Sequence, residues 1–215
     1  MSENVEQAVA PISLILTDPM IFPLVPQDRR DAAKLLWKLN NRLAEMAVSG
    51  KEPALRQIRL RWWADQLAML DNGTTPHEPL LAELVGGLLP VTGAGPLARL
   101  AEAWMDAAAD EEAGSEPGAQ LFALTAQLLG ADRHPAEAAK AGRLWSGVSA
   151  ALRQDATGAP AWARLACEAG EVRIGRLPRP LAALTALSAA VARRHGERRW
   201  RREQLLVLRV GLFGR

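Results

Sequence analysis

The side chains of this chain that could do chemistry are few. His77, His134 and His195 fall near predicted helix ends without ligand spacing, and Cys167, the single cysteine, builds neither an internal disulfide nor a thiolate metal site. No phosphate-cradling P-loop, no G-x-G-x-x-G after a strand and no zinc-finger spacing is present. No catalytic residue and no metal ligand set is therefore assigned from these groups. What stands out instead are polar residues that interrupt apolar stripes: Asn40, and then Arg59 and Gln66 in the stretch around "QIRLRWWADQL". A guanidinium cannot shed its proton, so an enclosed Arg59 must meet a carboxylate, several carbonyls or an anionic ligand. Two uses fit the trio. It can be a structural network tying two antiparallel helices together, the commoner fate of buried polar groups, or a polar patch lining a cavity for an anionic head group.

These residues need helices to position them. In 215 residues, 49% are hydrophobic and 23% charged, with no tyrosine and Ala-rich stretches. That composition belongs to one folded domain, and no sustained alternating β-branched run occurs, so the predicted fold is an all-α, single-domain helical bundle. Residues 1–17 read as a flexible arm and 18–215 as the domain. Helices are expected at about 28–48, 53–71, 77–89, 95–112, 116–130, 135–157, 160–170, 179–195 and 197–213, with Gly/Pro punctuation such as "PVTGAGP" and "RLPRP" between them. The first, second and sixth of these are expected to surround a common core.

Within the first helix Ala32, Leu36, Leu39, Leu43, Met46 and Ala47 form one stripe, and Asn40 falls inside it. The second carries a wide apolar arc, with Leu55, Ile58, Trp62 and Met69 on one flank and Leu60, Trp63, Leu67 and Leu70 on the other; Arg59 and Gln66 lie between them. From this wheel Trp62 is expected to be mostly buried, Arg61 exposed and Arg59 enclosed, so that Arg59→Ala would cost about 2–5 kcal/mol if it leaves a buried carboxylate unpaired. Trp62 and Trp63 are expected to pack against different neighbours rather than to serve as ligand platforms. The helix from Pro135 shows Leu144, Trp145, Val148 and Leu152 on one face and Gly142, Ser146, Ser149 and Arg153 on the other.

Charge is unevenly placed. Six acidic residues and no basic one occur between Ala101 and Gln120, whereas "ARRHGERRWRRE" opens the C-terminal segment. Arg198, Arg199, Arg201 and Arg202 around Trp200 can form a solvated helix face, meet the acidic segment, or contact an anionic membrane leaflet. Nucleic acid is the less favoured partner, since the formal charge is only +2. The start, "MSENVEQAVAPISLILTDP", carries acids where a signal peptide carries positive charge, and its "ISLIL" run is too short to cross a bilayer. A cytoplasmic protein able to rest on the inner face of the membrane is the expectation.

The stretch "DPMIFPLVPQDRRDAAKLLWKLNNRLAEMAVSGKEPALRQIRLRWWADQL" resembles the squalene/phytoene synthase family, in its short branch with a Pro-x-x-Arg-Arg entry and an Ile/Met-Arg-Leu-x-Trp-Trp helix. A second similarity lies in "AGRLWSGVSAALRQDATG", akin to that family's Gly-rich helix ending in Leu-Arg. The resemblance implies an isoprenoid synthase type of bundle, whose active members join two prenyl diphosphates using magnesium held by two D-x-x-x-D motifs. Here the first motif falls on "AEMAV", with Ala44 and Val48 in place of its aspartates, and the second on "QDATG", with Gln154 and Gly158. The resemblance thus implies a non-catalytic relative without a cofactor: a lipid- or isoprenoid-binding protein, or an assembly factor for a membrane complex, as in the branch containing an assembly factor for respiratory complex I. Its partners would be a membrane surface, a respiratory-complex protein or a prenyl lipid. The alternative is a prenyl diphosphate transferase with a rearranged site, which would need magnesium. Cavity-lining candidates are Asn40, Ala44, Arg59, Trp62, Trp63, Gln66, Ser146 and Arg153.

Overall fold

The computed structural model describes residues 14–49, 52–72, 77–110, 114–154 and 159–214. These form an all-α bundle without a strand among the described residues: α1 (Arg30–Val48), α2 (Pro53–Met69), α3 (Pro79–Gly87), α4 (Leu89–Thr92), α5 (Ala94–Ala109), α6 (Glu116–Leu128), α7 (Pro135–Arg153), α8 (Ala159–Glu171), α9 (Arg179–Arg193) and α10 (Trp200–Phe213). Prolines open α2, α3, α6, α7 and α9 within their first two positions, where the missing N–H costs nothing. The predicted helix at 77–89 is divided into α3 and the single turn α4, with Leu88 between them.

Aromatic packing joins α1, α6 and α7. Trp37 of α1 is fully buried; its ring meets Trp145 of α7 edge-on at 5.4 Å and Phe122 of α6 at 6.4 Å. Its indole N–H donates to Thr125 Oγ1 at 3.2 Å, so the one polar atom of that side chain is satisfied inside the core. Helices α6 and α7 approach so closely that a Cβ on Gly142 would be driven into the backbone carbonyl of Gly118. Gly142 and Ser146, on the small or polar face of this helix, are buried, because the small face is the one that lets α6 in.

Helix α9 is apolar nearly all round and is enclosed by α7, α8 and α10. Thr185 and Ser188 stay satisfied there by donating to the carbonyls of Leu181 and Leu184 one turn back.

Helix α2 shares the main core with α1 and α7, as expected, through Leu60, Trp63 and Leu67, but most of its packing is along α5. Gln57 Nε2 donates to the Met105 carbonyl at 2.9 Å, and the Ala94 N–H donates to Asp71 at 3.4 Å, so the two helices run antiparallel. Only the face with Leu60, Trp63, Ala64, Leu67 and Leu70 is covered. Leu55, Ile58, Trp62 and Met69 lie on the opposite side and are exposed, as is Arg59. The enclosure expected for Arg59 and Trp62 is thus corrected: apolar residues occupy both sides of α2, and its neighbour covers one. Arg61 is exposed as expected and pairs with Asp65 at 3.4 Å. Trp62 and Trp63 also touch each other, edge to face at 5.7 Å.

The arm is corrected in part. Leu16 is fully buried, and the Leu14 carbonyl accepts from Trp145 Nε1 at 2.7 Å, so 14–17 is docked on the bundle; residues 1–13 lie outside the described residues.

Candidate functional site: a cleft between the first and seventh helices

A cleft of about 330 Å³ opens between α1 and α7. From α1 come Asn40, Asn41 and Ala44, with Ala44 next to both asparagines because residues three and four apart are neighbours on a helix. From α7 come Trp145, Ser146, Ser149, Leu152 and Arg153, following the same periodicity to the end of the helix. Trp104 of α5 lines it too, its N–H donating to Asn40 Oδ1 at 3.0 Å. Asn40 is buried, as its place in the apolar stripe implies, and the indole satisfies its oxygen. Leu14 and Ile15 form one rim, positioned by the bond from Trp145.

Among the described residues, the charged side chains lining the cleft are Arg153 and Arg198, with no carboxylate. Arg198 is held in place by Glu203, whose carboxylate is fully buried and accepts from Arg198 Nη2 at 2.8 Å, Arg194 Nη2 at 3.3 Å and the Arg199 N–H at 2.8 Å. Burial alone pushes the Glu203 carboxyl upward, but these hydrogen bonds and the neighbouring guanidinium charges outweigh it and hold the group below the usual carboxylate range. Arg153 is exposed at the end of α7. Ser146 Oγ donates to the Gly114 carbonyl at 3.3 Å, whereas the buried Oγ of Ser149 has no hydrogen-bond partner among the described residues.

Such a lining suits a ligand with an anionic group and an apolar part: guanidinium and amide donors stand beside Leu14, Leu152 and two tryptophans. It does not suit magnesium, which demands several oxygen ligands with carboxylates among them. No group of three His, Cys, Asp or Glu able to hold a metal ion occurs among the described residues. At the position of the first aspartate-rich motif, Ala44 lines the cleft and Val48 is exposed; at the second, Gln154 follows Arg153, and 155–158 lie outside the described residues. Glu45, the nearest acid to the first motif, is exposed.

Of the expected cavity residues, Asn40, Ala44, Ser146 and Arg153 come together here. Arg59, Trp62, Trp63 and Gln66 do not, because α2 is spent on α5: Trp63 is buried against that helix and Gln66 is half-buried. The sequence reading missed Asn41, Trp104 and Arg198 as lining residues. Asn41 was accessible as the neighbour of Asn40. Trp104 and Arg198 arrive from distant segments and left no local signal.

A larger groove of about 540 Å³ lies between α1 and α3, but its charges neutralise one another, with Lys38 Nζ 2.6 Å from Glu83. The cleft beside Asn40 differs in that its lining among the described residues includes Arg153 and Arg198, the latter paired with Glu203 from behind, and no carboxylate. No protein-family model, curated protein or solved structure matches this chain.

Proposed function

We propose that the protein is a non-catalytic bundle of the squalene/phytoene synthase type that binds an anionic isoprenoid or lipid in the cleft between α1 and α7, and in that capacity serves a membrane-bound assembly process. One observation carries this reading. Ala44 of the first motif position and Arg153, the residue before the second, line one cleft, and the charged residues lining it among the described residues are Arg153 and Arg198. Arginines bind a phosphate or diphosphate directly, without a metal to neutralise it. Condensation of two prenyl diphosphates also needs room for two tails, and about 330 Å³ is close to the lower bound for a small-ligand pocket.

Incubation of the purified protein with farnesyl or geranylgeranyl diphosphate and magnesium tests the absence of catalysis. No condensation product is expected. Product that survives removal of contaminating host enzyme would overturn the proposal in favour of a transferase. The assembly role rests on the resemblance, and co-purification from a native membrane extract, respiratory-complex proteins included, is its test.

A further inference from the structure

Helix α10 is packed on one side and bare on the other. Val207, Val210, Gly211 and Glu203 face inward, toward α9 and Leu24. On the outer side Leu205, Leu208 and Leu212 recur at i, i+3 and i+7, and are 67%, 51% and 69% exposed; Phe213 beside them is 70% exposed. Arg201 stands on the same line one turn earlier, and Arg202 and Arg209 border the stripe, all three exposed. The only acid in α10 is Glu203, which is inside and already paired. Arg198 and Arg199 are engaged by Glu203 and Glu197, the latter at 2.8 Å, so the outward cations are Arg201, Arg202 and Arg209.

We propose that this face docks α10 in the plane of an anionic lipid bilayer, with the three leucines entering the headgroup boundary and the arginines meeting lipid phosphates. An apolar stripe edged by cations and free of exposed acid is the pattern of an interfacial helix. Trp200, half-buried with the Arg201 guanidinium 5.0 Å from its ring, is suited to the headgroup level. Fourteen residues give α10 a length of about 21 Å, short of the roughly 30 Å hydrocarbon core, so it lies on the bilayer rather than across it. A second copy is a poorer occupant, because a two-fold contact would bring arginines against arginines with no carboxylate on the face to meet them. This inference stands independently of the cleft, and vesicles without isoprenoid separate the two.

The experiment is sedimentation of the full chain with phosphatidylcholine vesicles, with and without phosphatidylglycerol. Binding to the anionic vesicles alone, weakened by salt, is expected. The triple variant R201Q/R202Q/R209Q should lower it about a hundredfold. L205S/L208S/L212S should lower it at least about tenfold even at low salt. Both sets are solvent-exposed, so circular dichroism should be unchanged. As a check that spares the fold, a polarity-sensitive dye on L208C in a C167S background should shift to the blue on anionic vesicles. Equal binding to both vesicle types, retention of binding by the leucine variant, an unshifted dye, or a dimer that dissociates when the leucines are replaced would each overturn the proposal.

Discussion

The indole N–H of Trp104 donates to Oδ1 of Asn40 at 3.0 Å, tying α5 to α1 at the wall of the cleft. Asn40 interrupts an apolar stripe for this purpose. Its replacement by Ala removes the acceptor from a half-buried donor and should cost about 1–2 kcal/mol in chemical denaturation. Trp104→Phe should cost less on the Asn40→Ala background than on the native chain, a coupling of about 1 kcal/mol. Additive losses would mean that the bond contributes nothing to stability.

Gly142 and Gly118 set the distance between α6 and α7. A methyl group on either meets the other's backbone, which has no side-chain freedom with which to yield. Gly142→Ala should therefore destabilise the fold by about 3 kcal/mol, against a gain of less than about 1 kcal/mol for the same change in an unconstrained helix. A stabilised variant in a thermal melt would show that the helices can move apart freely.

Stability should also depend on acid through Glu203. Its carboxyl is held below the ordinary value near 4.5, so its contribution is fully present above that pH and is lost as pH falls through the lower folded value. Glu203→Gln should flatten this acid limb and cost about 3 kcal/mol at neutral pH, because it leaves Arg194 and Arg198 largely enclosed without a counter-charge. Parallel stability curves for the two proteins from neutral to acid pH would contradict the assignment.

Arg59 offers the opposite test. Since it is exposed, Arg59→Ala should fall within about 0.5 kcal/mol of Arg61→Ala, in place of the large loss that enclosure would bring. A loss of several kcal/mol at Arg59 alone would place it inside.

How far the sequence reveals this structure depends on what each helix touches. Helix α1 was legible because its apolar residues form one stripe, and Asn40 was recognisable as buried for the same reason. Helix α2 was not, since Leu60, Trp63 and Leu67 on one side and Ile58, Trp62 and Met69 on the other give the wheel no preferred inward direction. Which side is covered is decided by α5, a tertiary fact. The small face of α7 was visible as Gly142, Ser146 and Ser149, but its contact with Gly118 was not, because glycine pairs leave no periodic signal. Likewise the tail arginines were evident as a group, whereas their division into paired Arg198 and Arg199 and outward Arg201 and Arg202 depends on Glu203 turning inward.

The most direct test of ligand binding in the cleft is a calorimetric titration of farnesyl diphosphate, without magnesium, into the native protein and into Arg153→Ala. Saturable binding to the native protein is expected, weakened at least about tenfold by the substitution, since one charge-assisted hydrogen bond is worth about 1.5–3 kcal/mol. Absence of saturable binding without magnesium, or equal affinity of the two proteins, would contradict it.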